Sequence, residues 1–133
     1  MSAARALQKA IWEALRGDAA LTALIGPEKV FDRVPPHTGF PYVSFGRTSV
    51  ADWSTATEEG AEHLVTLHAW SKDKGRAGVL AVLERVRARL GEGVSTAGHH
   101  LVNLTFLSVE AAFEDEAGVE RGTIVFRAVT EPL

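Results

Sequence analysis

The chain has 133 residues, no cysteine, and 17 acidic against 14 basic side chains, for a formal net charge of -3. Its length and 46% hydrophobic content support one core and one domain, residues 1–133. The lack of cysteine excludes disulfides, thiolate metal sites and cysteine nucleophiles, and the acidic balance disfavours sequence-independent binding of phosphate backbones. Every apolar run falls short of the roughly 20 residues a membrane-spanning helix needs. Gln8, Lys9 and Glu13 interrupt the first 17 residues, unlike an export signal, so a cytoplasmic location is expected.

In chain order, Ser2 is placed to cap a first helix that ends before Gly17, with Leu7, Ala10, Ile11, Ala14 and Leu15 as its buried stripe. Asp18 then caps a short second helix to Ile25, with Leu21, Leu24 and Ile25 pointing inward and Gly26-Pro27 closing it. In VFDRVPP, Val30 and Phe31 suit a short extended piece that Pro35 and Pro36 confine to a sheet edge or loop. After Phe40-Pro41, the aromatic and β-branched run YVSFGRTSV predicts a strand.

The segment ADWSTATEEGAE predicts a loop or a long hairpin arm, with Trp53 as its only bulky side chain and with Asp52, Glu58, Glu59 and Glu62 as its acidic groups. It is either a mobile surface excursion or an arm that becomes ordered against a partner, anchored by Trp53.

The chain is organised around Glu62 to Gly91, where the apolar period changes from two to nearly four. Val65, Leu67 and Ala69 alternate with Leu64, Thr66, His68 and Trp70 in a strand. Val79, Val82, Leu83, Val86 and Leu90 then share one helical face, with Gly91 as the stop. GEGVSTAGHH reads as a flexible connection. Two strands, Leu101 to Glu114 and Val119 to Thr130, are joined by the turn Asp115 to Gly118 into an antiparallel hairpin. The class is therefore α+β: an antiparallel sheet with helices packed on one face. Thr66, His68 and Trp70 fall on the other face, which would be an unusual patch in a monomer and an interface in an oligomer.

Catalytic and metal-binding patterns are missing. His63 and His68 are an odd number of strand positions apart and cannot share a metal, and the adjacent His99 and His100 lack a third ligand at a useful spacing. Ser44, Ser49 and Ser54 have no nucleophile-elbow context, and Gly75 to Gly78 carries no phosphate-loop or dinucleotide signature. The acidic clusters Glu58-Glu59 and Glu114 to Glu116 suit solvated loop tips. No catalytic residue, cofactor or metal is expected. The basic cluster Lys72, Lys74, Arg76, Arg85, Arg87 and Arg89 suits a solvated helix face or a contact with the acidic arm of another copy.

The helix pair followed by VFDRVPP, FPYVSFG and HLVTLHAWSKDKG running into VLAVLERVRARL resembles the tail terminator proteins of long-tailed phages and gene transfer agents, also called tail completion or tail-to-head joining proteins. The resemblance covers almost the whole chain in order, with FPYVSFG and the TLHAWS strand and following helix as its most telling pieces. It implies an α+β subunit that assembles, usually as a hexamer, into a ring that caps the growing tail tube and meets the head connector or stopper. DNA would pass through the channel without specific binding, which suits a net acidic subunit. A ring requires two different, complementary patches per subunit. The expected interface residues are Trp53, Glu58, Glu59, Glu62, His68, Trp70, Arg85 and Arg89. The alternative is a small-ligand binding module or enzyme that uses the open sheet face near His68 and Trp70.

Overall fold

Ser2 opens the first helix as its side-chain chemistry predicts: its Oγ accepts from the Arg5 backbone N–H at 3.2 Å. The computed structural model, which describes residues 1–133, places α1 over Ala3–Arg16 and α2 over Ala19–Ile25. Asp18 caps α2 by accepting from the Leu21 N–H at 3.0 Å. Leu21 and Ile25 are buried, whereas Leu24 is exposed, because a two-turn helix can present only a narrow stripe to the core.

The remaining elements are β1 (Val30–Phe31), β2 (Tyr42–Asp52), β3 (Ala61–Ser71), α3 (Ala77–Gly91), β4 (His99–Glu114) and β5 (Val119–Pro132). The five strands form one sheet in the order β1-β2-β3-β5-β4. β2, β3, β5 and β4 pair antiparallel, but β1 runs parallel to β2 through Val30 opposite Val43 and Phe31 opposite Ser44. The sheet is thus antiparallel except at one edge, where the short piece that the sequence assigns to a sheet edge or loop pairs parallel. The excursion from Asp32 to Pro41 re-enters β2 alongside β1, so the two cannot form a tight hairpin.

Alternation along β3 sends His63, Val65, Leu67, Ala69 and Ser71 to the helix-covered side, and all five are buried. Facing them, α3 buries Val79, Val82, Leu83, Val86 and Leu90, which contributes roughly 10 kcal/mol gross before ordering entropy is subtracted. Both faces belong to one continuous cluster that also includes Leu7, Ile11, Leu15 and Phe126. Close packing of α3 on the sheet requires a glycine at position 122, since a Cβ there would stand 2.8 Å from Leu83 Cδ1 and 3.1 Å from Val79 Cβ. All three helices lie on this side, so the other face of the sheet has no helical cover.

Candidate assembly surfaces

The uncovered face is built by the alternate residues of β3, among them Glu62, Thr66, His68 and Trp70, and by the residues opposite them on β2 and β5. Trp70 lies beside Tyr42, with ring centroids 6.4 Å apart, and its Nε1–H donates to Ser44 Oγ at 2.9 Å. His68 sits 5.7 Å from the Trp70 ring, and its Nδ1 is 2.9 Å from Thr123 Oγ1. Gly46 makes room for this imidazole, because a Cβ at that position would overlap the ring. The aromatic row continues through Tyr42 to Phe40 at 5.1 Å and Phe31 at 6.0 Å, with Lys72 Nζ 5.1 Å above the Phe40 ring. Burial, reinforced by the Arg121 charge, holds the His68 pKa below its ordinary value. His68 and Trp70 are therefore locked in a neutral, hydrogen-bonded aromatic surface.

Neither residue lines any of the three principal clefts. The first, about 510 Å³, lies between α1 and the edge of β2; the second, about 360 Å³, lies at the base of the β2–β3 loop; the third, about 540 Å³, runs from Val34 to Phe40 and on to Lys72. The third also reaches Tyr42, so the aromatic row borders a cleft at its Phe40 end and not at His68 and Trp70.

The predicted arm is the far end of the β2–β3 hairpin, with β2 reaching Asp52 and β3 starting at Ala61. Its connecting loop is closed by its own hydrogen bonds: the Trp53 N–H donates to Gly60 O at 2.9 Å, Thr55 N–H to Glu58 O at 2.7 Å, and Ser54 Oγ to Asp52 Oδ1 at 2.7 Å. All of these bonds lie within the chain. Trp53 remains 51% exposed and lies under Arg127, whose guanidinium is 5.6 Å from the ring centroid. Arg127 also grips Glu62, with Nη2 at 2.7 Å and Nε at 2.8 Å from Oε2. Glu58 and Glu59 are exposed at the tip with no ion-pair partner, and Glu59 borders the second cleft.

The basic face of α3 is committed inside the chain. Arg85 donates to Asp18 through Nε at 2.7 Å and Nη2 at 3.0 Å, and Nη2 also lies 3.5 Å from Glu92. Arg89 Nη1 donates to Gly93 O at 2.9 Å, and the Arg87 guanidinium stacks 3.7 Å from the Phe106 centroid. Of the eight expected interface residues, the structure gathers Trp53, Glu58, Glu59 and Glu62 at the hairpin end, His68 and Trp70 further down the same strand, and Arg85 and Arg89 on the helical side of the sheet. Sequence reasoning passed over Arg127, Tyr42 and Thr123; strand alternation alone places Arg127 and Thr123 on the open face beside Leu64 and His68.

No set of three His, Cys, Asp or Glu residues could hold a metal, and the chain has no cysteine. No helix is long and apolar enough to cross a membrane. The sheet thus has one helix-covered face and one face without helical cover that carries the aromatic row, with the β2–β3 connection at one end.

Comparisons with known proteins name the class. The family model "Tail completion protein gp17" matches residues 9–131. A chain in the structure titled "Virion of native gene transfer agent (GTA) particle" is 37% identical, with 98% of each chain covered and a TM-score of 0.89. The gp17 protein of bacteriophage SPP1 is 25% identical, with 95% of this chain and 89% of that one covered and a TM-score of 0.62. No curated protein sequence matches. The chain belongs to the tail completion protein gp17 family and is a structural, tail-terminator protein.

Proposed function

We propose that six copies close into a ring that caps the tail tube, ends its polymerisation and offers its far rim to the head connector or stopper, with DNA passing through the channel unbound. The ring is assembled in the cytoplasm, takes its place at the head-tail junction, and carries out no catalytic step. The observation that carries this reading is the uncovered sheet face, where Tyr42, His68 and Trp70 form a hydrogen-bonded mosaic of apolar and polar groups. Together with exposed Trp53 and the unpaired Glu58 and Glu59 at the hairpin end, it supplies contact area at small ordering cost. The net charge of -3 keeps phosphate from adhering to the channel.

Light scattering across a concentration range, with negative-stain images, tests the reading. Closed rings of the protein alone, or rings that appear only on purified tail tubes, are the expected result. A monomer at every concentration that also leaves tube length unchanged would overturn it.

A further inference from the structure

The sheet has two free edges, and they are different. β4 closes one side of the strand order, so the outer edge of a 16-residue strand is unpaired. On the other side β1 covers only Val43 and Ser44, so β2 from Arg47 to Asp52 has no outer neighbour. Natural sheets normally protect long edges, because rows of unpaired N–H and C=O groups template pairing with another chain. Here the edges carry apolar side chains instead. Val102, Leu107, Val109 and Phe113 of β4 are all exposed, and Val50 is exposed on β2.

We propose that these two edges pair between copies, β4 of one subunit adding to the Arg47–Asp52 edge of β2 in the next. The inference rests on the ring reading above and names its subunit contact. Three observations support a second copy of this chain as the occupant. The first cleft, about 510 Å³, runs along the β2 edge under α1; Met1, Ala4 and Trp12 give it an apolar part, and Arg5 and Lys9 outnumber its one acid, Asp32. The helix-covered side of β4, to which Val109 and Phe113 point, would enter that cleft when the strand is added, since neighbours in a continuous sheet keep their helices on the same side.

Charge is complementary as well. Arg5 and Arg47 have no ion-pair partner on the β2 side, and neither do Glu110, Asp115 and Glu116 at the outer end of β4. Finally, the strand directions agree. β2 and β4 are separated by three antiparallel steps, β2 to β3, β3 to β5 and β5 to β4, so they run opposite ways, and a rotation about an axis along the strands preserves that. The intersubunit pair is therefore antiparallel. It is also heterologous, which gives a closed ring when the rotation closes. The open aromatic face then stays free for the tube or the connector.

The chain's lack of cysteine makes the test direct. Variants carrying Val50→Cys together with Leu107→Cys, or with Val102→Cys, Val109→Cys or Phe113→Cys, are oxidised as rings, either free or on purified tail tubes. At least one combination is expected to give a ladder of covalent oligomers on a denaturing gel that single-cysteine variants do not give. Rings by mass and microscopy with no ladder from any combination would overturn the edge pairing and leave the ring reading standing. Absence of rings with and without tubes, for the unmodified chain, would overturn both. As a second readout that leaves the fold intact, Glu110→Arg is expected to raise the concentration needed for assembly about tenfold; an unchanged concentration counts against the contact.

Discussion

Arg85 closes on Asp18 across 67 positions of sequence, its Nε and Nη2 donating to the two carboxylate oxygens at 2.7 and 3.0 Å. The same carboxylate caps α2, so one side chain starts a short helix and fastens it to α3. The Arg85 hydrogen bonds, and after them the Leu21 N–H, hold the Asp18 pKa below its ordinary 3.8 against the opposing effect of burial. Asp18→Ala is expected to cost about 1 kcal/mol for the lost cap and more for the severed tie. Arg85→Ala should destabilise in the same direction while keeping the cap. Because the native pKa is depressed, this stabilisation is complete above the unfolded value and is lost as pH falls below about 4. Urea midpoints of the two variants check the claim, and an Asp18→Ala midpoint equal to wild type would refute it.

His63 is fully buried, with Nε2 2.9 Å from Thr130 Oγ1 and no partner for Nδ1. Burial, and secondarily the charge of His99, lowers its pKa from the ordinary 6.5. The unfolded chain therefore binds a proton more readily than the native one, and native stability declines as pH falls through about 6.5 and below. His68, also lowered, adds to the same slope. Denaturation midpoints are expected to be lower at pH 5.5 than at pH 7.5, with a smaller difference for His63→Gln. Equal wild-type midpoints at the two pH values would remove this account.

Trp70 lies on the open face and not at the junction of sheet and α3, so truncating it opens no core cavity. Trp70→Ala is expected to cost about 2 kcal/mol, from lost stacking on Tyr42 and His68 and the orphaned Ser44 hydroxyl. That is less than the 3–5 kcal/mol typical of a core tryptophan. Trp70→Phe, which keeps a ring and loses the hydrogen bond, should recover about half. A loss for Trp70→Ala in the core range, by chemical denaturation, would show that the face is structural cover and not contact surface.

Much of the architecture was legible because local signals and tertiary packing agree. Ser2, Asp18 and the period change at Ser71 to Ala77 mark elements that the structure keeps, and the alternation of Val65, Leu67 and Ala69 identifies the core side of the sheet. The pairing of β1 was not legible, since two residues carry no directional pattern and their parallel registry is set by the connection to Tyr42. The commitment of Arg85 was hidden for a related reason. Sequence spacing shows which residues share a helix face and so places Glu92, the C-cap of α3, near Arg85, but Asp18 reaches that face from the start of α2. The edges, likewise, become visible only with the strand order.

Glycines 91 and 122 separate two roles that sequence cannot distinguish. At Gly122 an added methyl meets Leu83 Cδ1 at 2.8 Å and Val79 Cβ at 3.1 Å, both on the buried face of α3, where neither can retreat without shifting the helix. Gly122→Ala is therefore expected to destabilise by roughly 1–3 kcal/mol through overpacking. At Gly91, the last residue of α3, a Cβ meets nothing within 4 Å and the backbone needs no left-handed conformation. Gly91→Ala should be neutral or stabilise by up to about 1 kcal/mol, by reducing the freedom of the unfolded chain. Thermal melts of the pair read the difference directly. Opposite signs are expected, and a Gly122→Ala protein as stable as wild type would mean that α3 can lift off the sheet at little cost.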